Sequence, residues 1–444
     1  MSSGQLFGAL FVPAAVRDAV SDRAWIAAML EFEAALAAAE ALAGVIPGEA
    51  ADAIAAACHA ERFDAGALGA DARAASNPAA PLVRALTEAV EGDADRYVHW
   101  GATSQDVMDT ASMLVARRAL ALIGTELDAV AAACARLADE HCATVMPGRT
   151  LLQQALPITF GLKAAGWLEA VMDARRRLAV APLAVQLGGA AGTLASLGGE
   201  GLRVLGLLAE QLELEEPRMP WHTSRGRVAE LGGALALAAG TLEKIAHDVA
   251  LLAQTEVAEV AEPSGGDRGG SSTLPHKRNP VGSALTVACA RRVRGEASIL
   301  LEAMSQEHER AAGAWQSEWE ALSGALAYTG GAAGALREVL EGLEVRPDRM
   351  RENLAATGGL VLAESVSMAM AERLGRLEAH RLVQGASRRA VEAGRSLRDE
   401  LLDDPEVRKQ LDPEKIDRAL DPRGYLGSAE ALVERALKRY TEQR

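Results

Sequence analysis

The sequence predicts an all-α protein built around a bundle of long helices, and three observations lead there. Apolar residues make up 49% of the 444-residue chain but aromatics only 3%, so Ala and Leu carry the apolar content rather than the residues that favour strands. Leu120, Ile123, Leu127, Val130, Cys134 and Leu137 recur at helical spacing, which draws one apolar seam along a helix. The same stepping returns at Leu231, Leu235, Ala238, Leu242, Ile245, Val249 and Leu252. Helices with narrow seams bury them against one another, and that packing is a bundle.

The elements follow in order. An alanine-rich helix is predicted over 22–43, with Asp22 near its start and Gly44 just past its end. Short helices and turns run through Asn77-Pro78 and Pro81 to about residue 104, where the first long helix begins. Met146-Pro147-Gly148 and Gly188-Gly189 punctuate the middle of the chain. The second seam is expected to continue to about Val260, giving helices roughly 40–50 Å long at ~1.5 Å per residue. The bundle ends near Arg346-Pro347, and a shorter helical segment runs from Gly358 onward. A single core usually stops growing at about 250–300 residues, so the chain divides into two or three domains.

Composition narrows the function. A net charge of −15 disfavours nucleic acid and anionic membrane as partners, and an anionic substrate would need a local basic pocket. No run approaches the ~18 apolar residues of a membrane span, and the N-terminus lacks a charged segment before an apolar core. Cys58, Cys134, Cys142 and Cys289 are scattered without C-x-x-C spacing, as reduced thiols of a cytoplasmic protein would be. No metal-ligand spacing and no cofactor motif occurs, so neither a metal nor a cofactor is expected.

Residues 269–280, Gly-Gly-Ser-Ser-Thr-Leu-Pro-His-Lys-Arg-Asn-Pro, are the most informative stretch. Its amides and small side chains can close around an anion, and Ser271 and Lys277 can move or stabilise a proton. Asn279-Pro280 reads as a helix start, with an N-cap residue and a proline at the first helical position. The P-loop spacing is missing, and an ordinary glycine-rich connector is the alternative. A second stretch, His99-Trp100-Gly101-Ala102-Thr103-Ser104-Gln105-Asp106, places Thr103 or Ser104 at the start of the long helix. Free amides and partial positive charge there suit a carboxylate, although a plain N-cap has the same sequence. Arg225, with Arg227, precedes another long helix and suits a further carboxylate, or a solvated helix start. Asn77 lies in a Ser-Asn-Pro turn that can face a pocket or serve only the turn. Arg149 is a structural or a substrate arginine, and the sequence does not separate the two.

Gly270-Ser271-Ser272, Pro275, Lys277, Asn279 and Pro280 together resemble the signature loop of the fumarase/aspartase superfamily, which includes argininosuccinate and adenylosuccinate lyases. The resemblance implies that Ser271 is the acid/base toward carbon and that Lys277 and Asn279 bind a substrate carboxylate, with Ser272 and His276 beside them. His99, Thr103 and Ser104 match the superfamily's first motif and are implied to bind substrate. The stretch Gly148-Arg149-Thr150-Leu151-Leu152-Gln153-Gln154 matches another motif and adds Thr150 and Gln153. The implied fold has three helical domains, at 1–104, 105–350 and 351–444. The implied assembly is a homotetramer whose active sites each draw on three chains, acting on a small polycarboxylate.

Two departures choose a branch of the superfamily. Fumarate-releasing lyases usually carry a histidine after the motif threonine, and a glutamate seven residues after the loop lysine. Here those positions are Leu151 and Ala284. A base is needed to deprotonate water or an amine, but a substrate carboxylate is already ionised, its pKa being near ~4. The pair is dispensable if the substrate's own carboxylate closes a lactone, so the expected activity is a lactone-forming cycloisomerase. Residues 308–315, His-Glu-Arg-Ala-Ala-Gly-Ala-Trp, are similar to that branch. A fumarate-releasing lyase and a non-catalytic helical scaffold are the alternatives.

Overall fold

The computed structural model describes residues 5–264, 269, 270, 274 and 277–443. The described chain is mainly helical with few strands, as the composition predicts. The three longest described helices are Ser104–Glu140, Ala314–Glu341 and Gly226–Leu252, and Asp22–Ala43, Val281–Glu302 and Phe160–Ala179 follow. On the first of these, Ile123, Leu127, Val130, Cys134 and Leu137 are buried and Leu120 is half-buried. All seven residues of the second seam, on Gly226–Leu252, are buried.

The chain divides into two compact units, each discontinuous in sequence: residues 1–128, 173–244 and 284–336, and residues 129–172, 245–283 and 337–444. In the first unit, helix Asp22–Ala43 packs on Gly48–Ala57 and Gly201–Leu212. Its ends obey the local rules. The Ser21 hydroxyl accepts the Ala24 N–H at the start, and Gly44 closes the end at φ +80.

The second unit departs from the expectation of uninterrupted helix in two places. Residues 145–159 form an antiparallel hairpin, Val145–Thr150 with Gln153–Thr159, in which Pro147 faces Pro157 and a bulge falls at Gly148. A Cβ on Gly148 would stand 2.7 Å from the Leu156 carbonyl oxygen, so this residue cannot be larger. The second seam also stops at Leu252 rather than near Val260. Ala258 turns left-handed at φ +51, and Val260–Ala261 pairs with Glu344–Val345. In this segment the buried Glu259 carboxylate meets Arg149 and Asn353. The hairpin packs on Pro347–Ala355, where Pro347 opens a helix as expected after Arg346. Further on, Val366, Met370, Val383, Leu397, Leu401 and Ile416 share one apolar core. Among the described residues no single helix is long and apolar enough to cross a membrane.

Candidate active site

In the first unit, a buried polar frame stands under the start of helix Ser104–Glu140. The Thr103 carbonyl accepts the N–H groups of Asp106 and Val107, which makes Thr103 the N-cap residue. The Asp106 carboxylate reaches back to accept the Thr103 N–H at 3.0 Å, one half of a capping box. It also accepts the Gly188 and Gly189 N–H groups, each at 3.0 Å, and His222 Nε2 lies 2.7 Å away. Burial pushes the Asp106 carboxyl above its ordinary range, against the pull of His222 and the backbone donors. Gly189 takes φ +68, and a Cβ there would come within 3.0 Å of the Gly101 carbonyl, so the glycine pair lets the chain close on the motif. The Thr103 and Ser104 hydroxyls take no part in this frame. They are half-buried and make no hydrogen bond among the described residues, at a helix start with open amides.

One turn deeper lies Arg225, which the sequence offers as a carboxylate binder or a solvated helix start and which the structure surrounds with protein partners. Arg225 is 2% exposed and all five of its N–H groups are engaged. Nε donates to Glu318 at 3.0 Å, Nη1 to Asp109 at 2.7 Å and to the Trp221 carbonyl at 3.4 Å, and Nη2 to Asp109 at 2.9 Å and to Glu318 at 2.5 Å. With no donor left, Arg225 is frame. The residues around it complete the frame: Trp315 Nε1 and Gln105 Nε2 both donate to Asp109. Burial pushes Glu318 up, with Arg225 opposing, and the two carboxylates hold Arg225 firmly protonated despite its own burial. Asn77 is likewise committed locally. Its Nδ2 donates to the Ala75 carbonyl and its Oδ1 accepts the Ala80 N–H, which closes the turn before helix Ala79–Ala89.

Arg310 is the residue that sequence reasoning passed over. Its Nε donates to Gln105 Oε1 at 3.1 Å and Nη2 lies 3.5 Å from the Gly189 carbonyl. It has no carboxylate partner among the described residues, so a half-buried cation is held against Gln105, in the first turn of the helix, with its charge uncompensated by a salt bridge. The signal was its place in the run 308–315. His99, also in this unit, is half-buried, with Nδ1 2.7 Å from Glu33 Oε1.

In the second unit, Thr150 and Gln153 face each other across the hairpin turn and are both exposed. Between them Leu151 and Leu152 take φ +50 and +65 and are 97% and 74% exposed. Two consecutive left-handed leucines are costly, since such turns favour Asn and Gly. Arg149 is structural: it grips Glu259 through Nη1 at 2.9 Å and Nη2 at 2.6 Å, and Asn353 donates to the same carboxylate. Of the signature loop, Ser271, Ser272 and His276 lie outside the described residues. Lys277 is exposed, and its N–H donates to the Leu274 carbonyl at 3.0 Å. Asn279 spans the loop, giving both its backbone N–H and its Nδ2 to the Gly269 carbonyl, at 2.9 and 3.2 Å. The helix begins at Val281, one residue later than Asn279-Pro280 suggested, and its cap comes from elsewhere. The buried Glu262 carboxylate accepts the N–H groups of Gly282 and Ser283 at 2.9 and 2.8 Å. A carboxylate complements a helix start better than an amide does, which frees the Asn279 side chain for the loop.

The chain matches known proteins along nearly its whole length. Residues 13–295 match the family described as lyase, and residues 359–436 match the family described as adenylosuccinate lyase C-terminus. A 3-carboxy-cis,cis-muconate cycloisomerase of Pseudomonas aeruginosa is 50% identical over 98% of this chain and 96% of its own length. A nitrosuccinate lyase of Streptomyces davaonensis is 47% identical over 95% of this chain and 92% of its own. The crystal structure of the 3-carboxy-cis,cis-muconate lactonizing enzyme from Pseudomonas putida superposes with a TM-score of 0.93 at 47% identity, covering 99% of each chain. On this fold, this helix-start motif and these matches, the chain belongs to the lyase family of the fumarase/aspartase superfamily.

Proposed function

We infer that this chain is a cycloisomerase that converts 3-carboxy-cis,cis-muconate into 4-carboxymuconolactone, in the catabolism of aromatic compounds. The observation that carries the reading is the joint absence of the lyase pair: Leu151 stands at the exposed hairpin tip where the histidine belongs, and Ala284 stands where its glutamate belongs. Relatives with this activity at 48–50% identity support it.

In the reaction, a carboxylate oxygen of the substrate attacks the neighbouring double bond and forms the ring C–O bond. The π electrons move toward a second carboxylate, giving an aci-carboxylate dianion, and carbon then takes up one proton. No external nucleophile is activated. The work lies in holding charge that grows during the step. Thr103, Ser104, Lys277 and Asn279 hold carboxylates, and Arg310 joins them as a cation beside the helix start. Ser271 delivers the proton, with Lys277 as the rival donor. Ser272, His276, Thr150, Gln153 and His99 complete the binding set. Thr150 and Gln153 are exposed on a single chain, which supports a homotetramer in which other copies complete each site. The N-terminal, central and C-terminal helical domains are read at 1–104, 105–350 and 351–444; the separate family match at 359–436 supports the last. The enzyme works in the cytoplasm, without a cofactor.

The test follows the diene absorbance of 3-carboxy-cis,cis-muconate with purified protein and excess chelator. Loss of the band with lactone as product supports the reading. A silent assay, with release of fumarate from adenylosuccinate or elimination from nitrosuccinate, overturns it. The 47% identity to a nitrosuccinate lyase makes that lyase activity the second reading.

A further inference from the structure

Glu33 lies on the buried face of helix Asp22–Ala43 and is 1% exposed. One carboxylate oxygen is 2.7 Å from His99 Nδ1; the other is buried with no hydrogen-bond partner. Glu40, two turns along the same helix, is equally buried, and one of its oxygens also lacks a partner. Burial and then the Glu33 charge push the Glu40 carboxyl up to about 9, so Glu40 is the neutral acid. An uncompensated buried carboxylate costs several kcal/mol in general, and His99 is the described side chain that bonds to this one. Burial works to lower the His99 pKa, but the charge and hydrogen bond of Glu33, with Asp106 behind, hold it above the ordinary value. The facing ionisable groups are thus Glu33 and Glu40 from one helix, Cys58 beyond the next, whose thiol stays neutral, and Asp106, already paired with His222. His99 itself takes φ +61, a conformation a non-glycine residue keeps only where its surroundings fix it. Its Nε2 has no partner among the described residues.

We propose that Glu33 is a positioning residue for the lactone-forming step: it fixes the His99 ring through Nδ1 and leaves Nε2–H as the donor to the substrate carboxylate on which charge accumulates. The superfamily's usual histidine–glutamate pair is absent from this chain, and a different pair joins His99, four residues before Thr103, to Glu33. This role rests on the cycloisomerase reading.

Glu33→Gln tests it, because the amide preserves shape and can still accept Nδ1–H without the charge. The expected result is a fall in kcat of about 10–100-fold with a smaller change in KM, as for a donor that acts mainly in the transition state. The high-pH limb of kcat/KM, where His99 loses its proton, moves to lower pH. Glu33→Asp recovers part of both. Unchanged kcat and pH profile in Glu33→Gln, or a rise in KM alone, overturns the proposal. Nitrogen-15 NMR of the wild-type imidazoles, with His99 assigned from His99→Gln, gives a readout that needs neither turnover nor a folded Glu33 variant. A His99 that titrates at or below ~6.5, the ordinary imidazole value, refutes the pairing outright. A raised His99 pKa in a protein that turns over no carboxymuconate instead sinks the reading of the reaction, and the catalytic role with it.

Discussion

Replacing Arg225 by Met asks whether this arginine is frame or pocket. Met keeps most of the stem and volume but removes five donors and one charge. The side chains of Arg225, Asp109 and Glu318 are 1%, 3% and 4% exposed, so solvent cannot take over the lost bonds. Asp109 would keep Trp315, Gln105 and Gln186, while Glu318 would keep Gln306. Breaking a buried ion pair from one side costs about 3–5 kcal/mol, and the upper end applies here because two carboxylates lose the same partner. Glu318, already pushed up by burial, should take a proton once Arg225 is gone. An acid whose folded pKa lies above its unfolded value stabilises the fold at low pH and loses that contribution as pH rises through the folded pKa. Arg225→Met should therefore lose less stability at pH 5 than at pH 8. Adding Glu318→Gln should recover about 1–2 kcal/mol at pH 8 by removing the orphaned charge. Urea unfolding at fixed protein concentration measures this, with tryptophan fluorescence as the signal, since Trp221 stacks 4.8 Å from the guanidinium. An equal loss at both pH values would assign the effect to packing. A stable variant with KM raised a hundredfold would refute the reasoning and put Arg225 back in the substrate pocket.

Three more outcomes are expected. Thr103→Val removes an unengaged hydroxyl at the helix start and should raise KM about fivefold, the equivalent of ~1 kcal/mol, while leaving the unfolding midpoint within experimental scatter. Ser271→Ala should lower kcat by about two to four orders of magnitude with little effect on KM, measured from diene absorbance; equal activity in the variant would remove serine from proton transfer. Glu262→Gln replaces the anion that accepts two N–H groups at the start of Val281–Glu302, and should cost about 1 kcal/mol in urea unfolding, a loss that shrinks in high salt.

Much of the fold was legible because its signals are local. The seams at 120–137 and 231–252 need only the helical period, and Gly44 ends its helix by capping chemistry that depends on nearest neighbours. The motifs were legible as well, since a Thr-Ser helix start or a Gly-Gly-Ser-Ser run is contiguous. The hairpin at 145–159 was not, because its turn is made by Leu151-Leu152, two residues with no local preference for positive φ. Only surrounding structure can hold them there.

The sequence by itself determined an all-helical chain with its apolar seams, and the two missing dyad residues that select a branch of the superfamily. Tertiary structure decided which polar residues are frame and which are free. Arg225 and Arg310 are both arginines near candidate motifs, and nothing in their neighbourhoods tells them apart. Asp109 and Glu318, distant in sequence, saturate the first, while the second meets only neutral oxygens from Gln105 and Gly189. Likewise Glu33 reads as one more acid on an alanine-rich helix until folding brings His99 against it across 66 residues. The physical reason is the same in each case. A helix period or a cap is set by adjacent residues, but the charge state and spare donors of a buried group are set by whatever the fold places beside it.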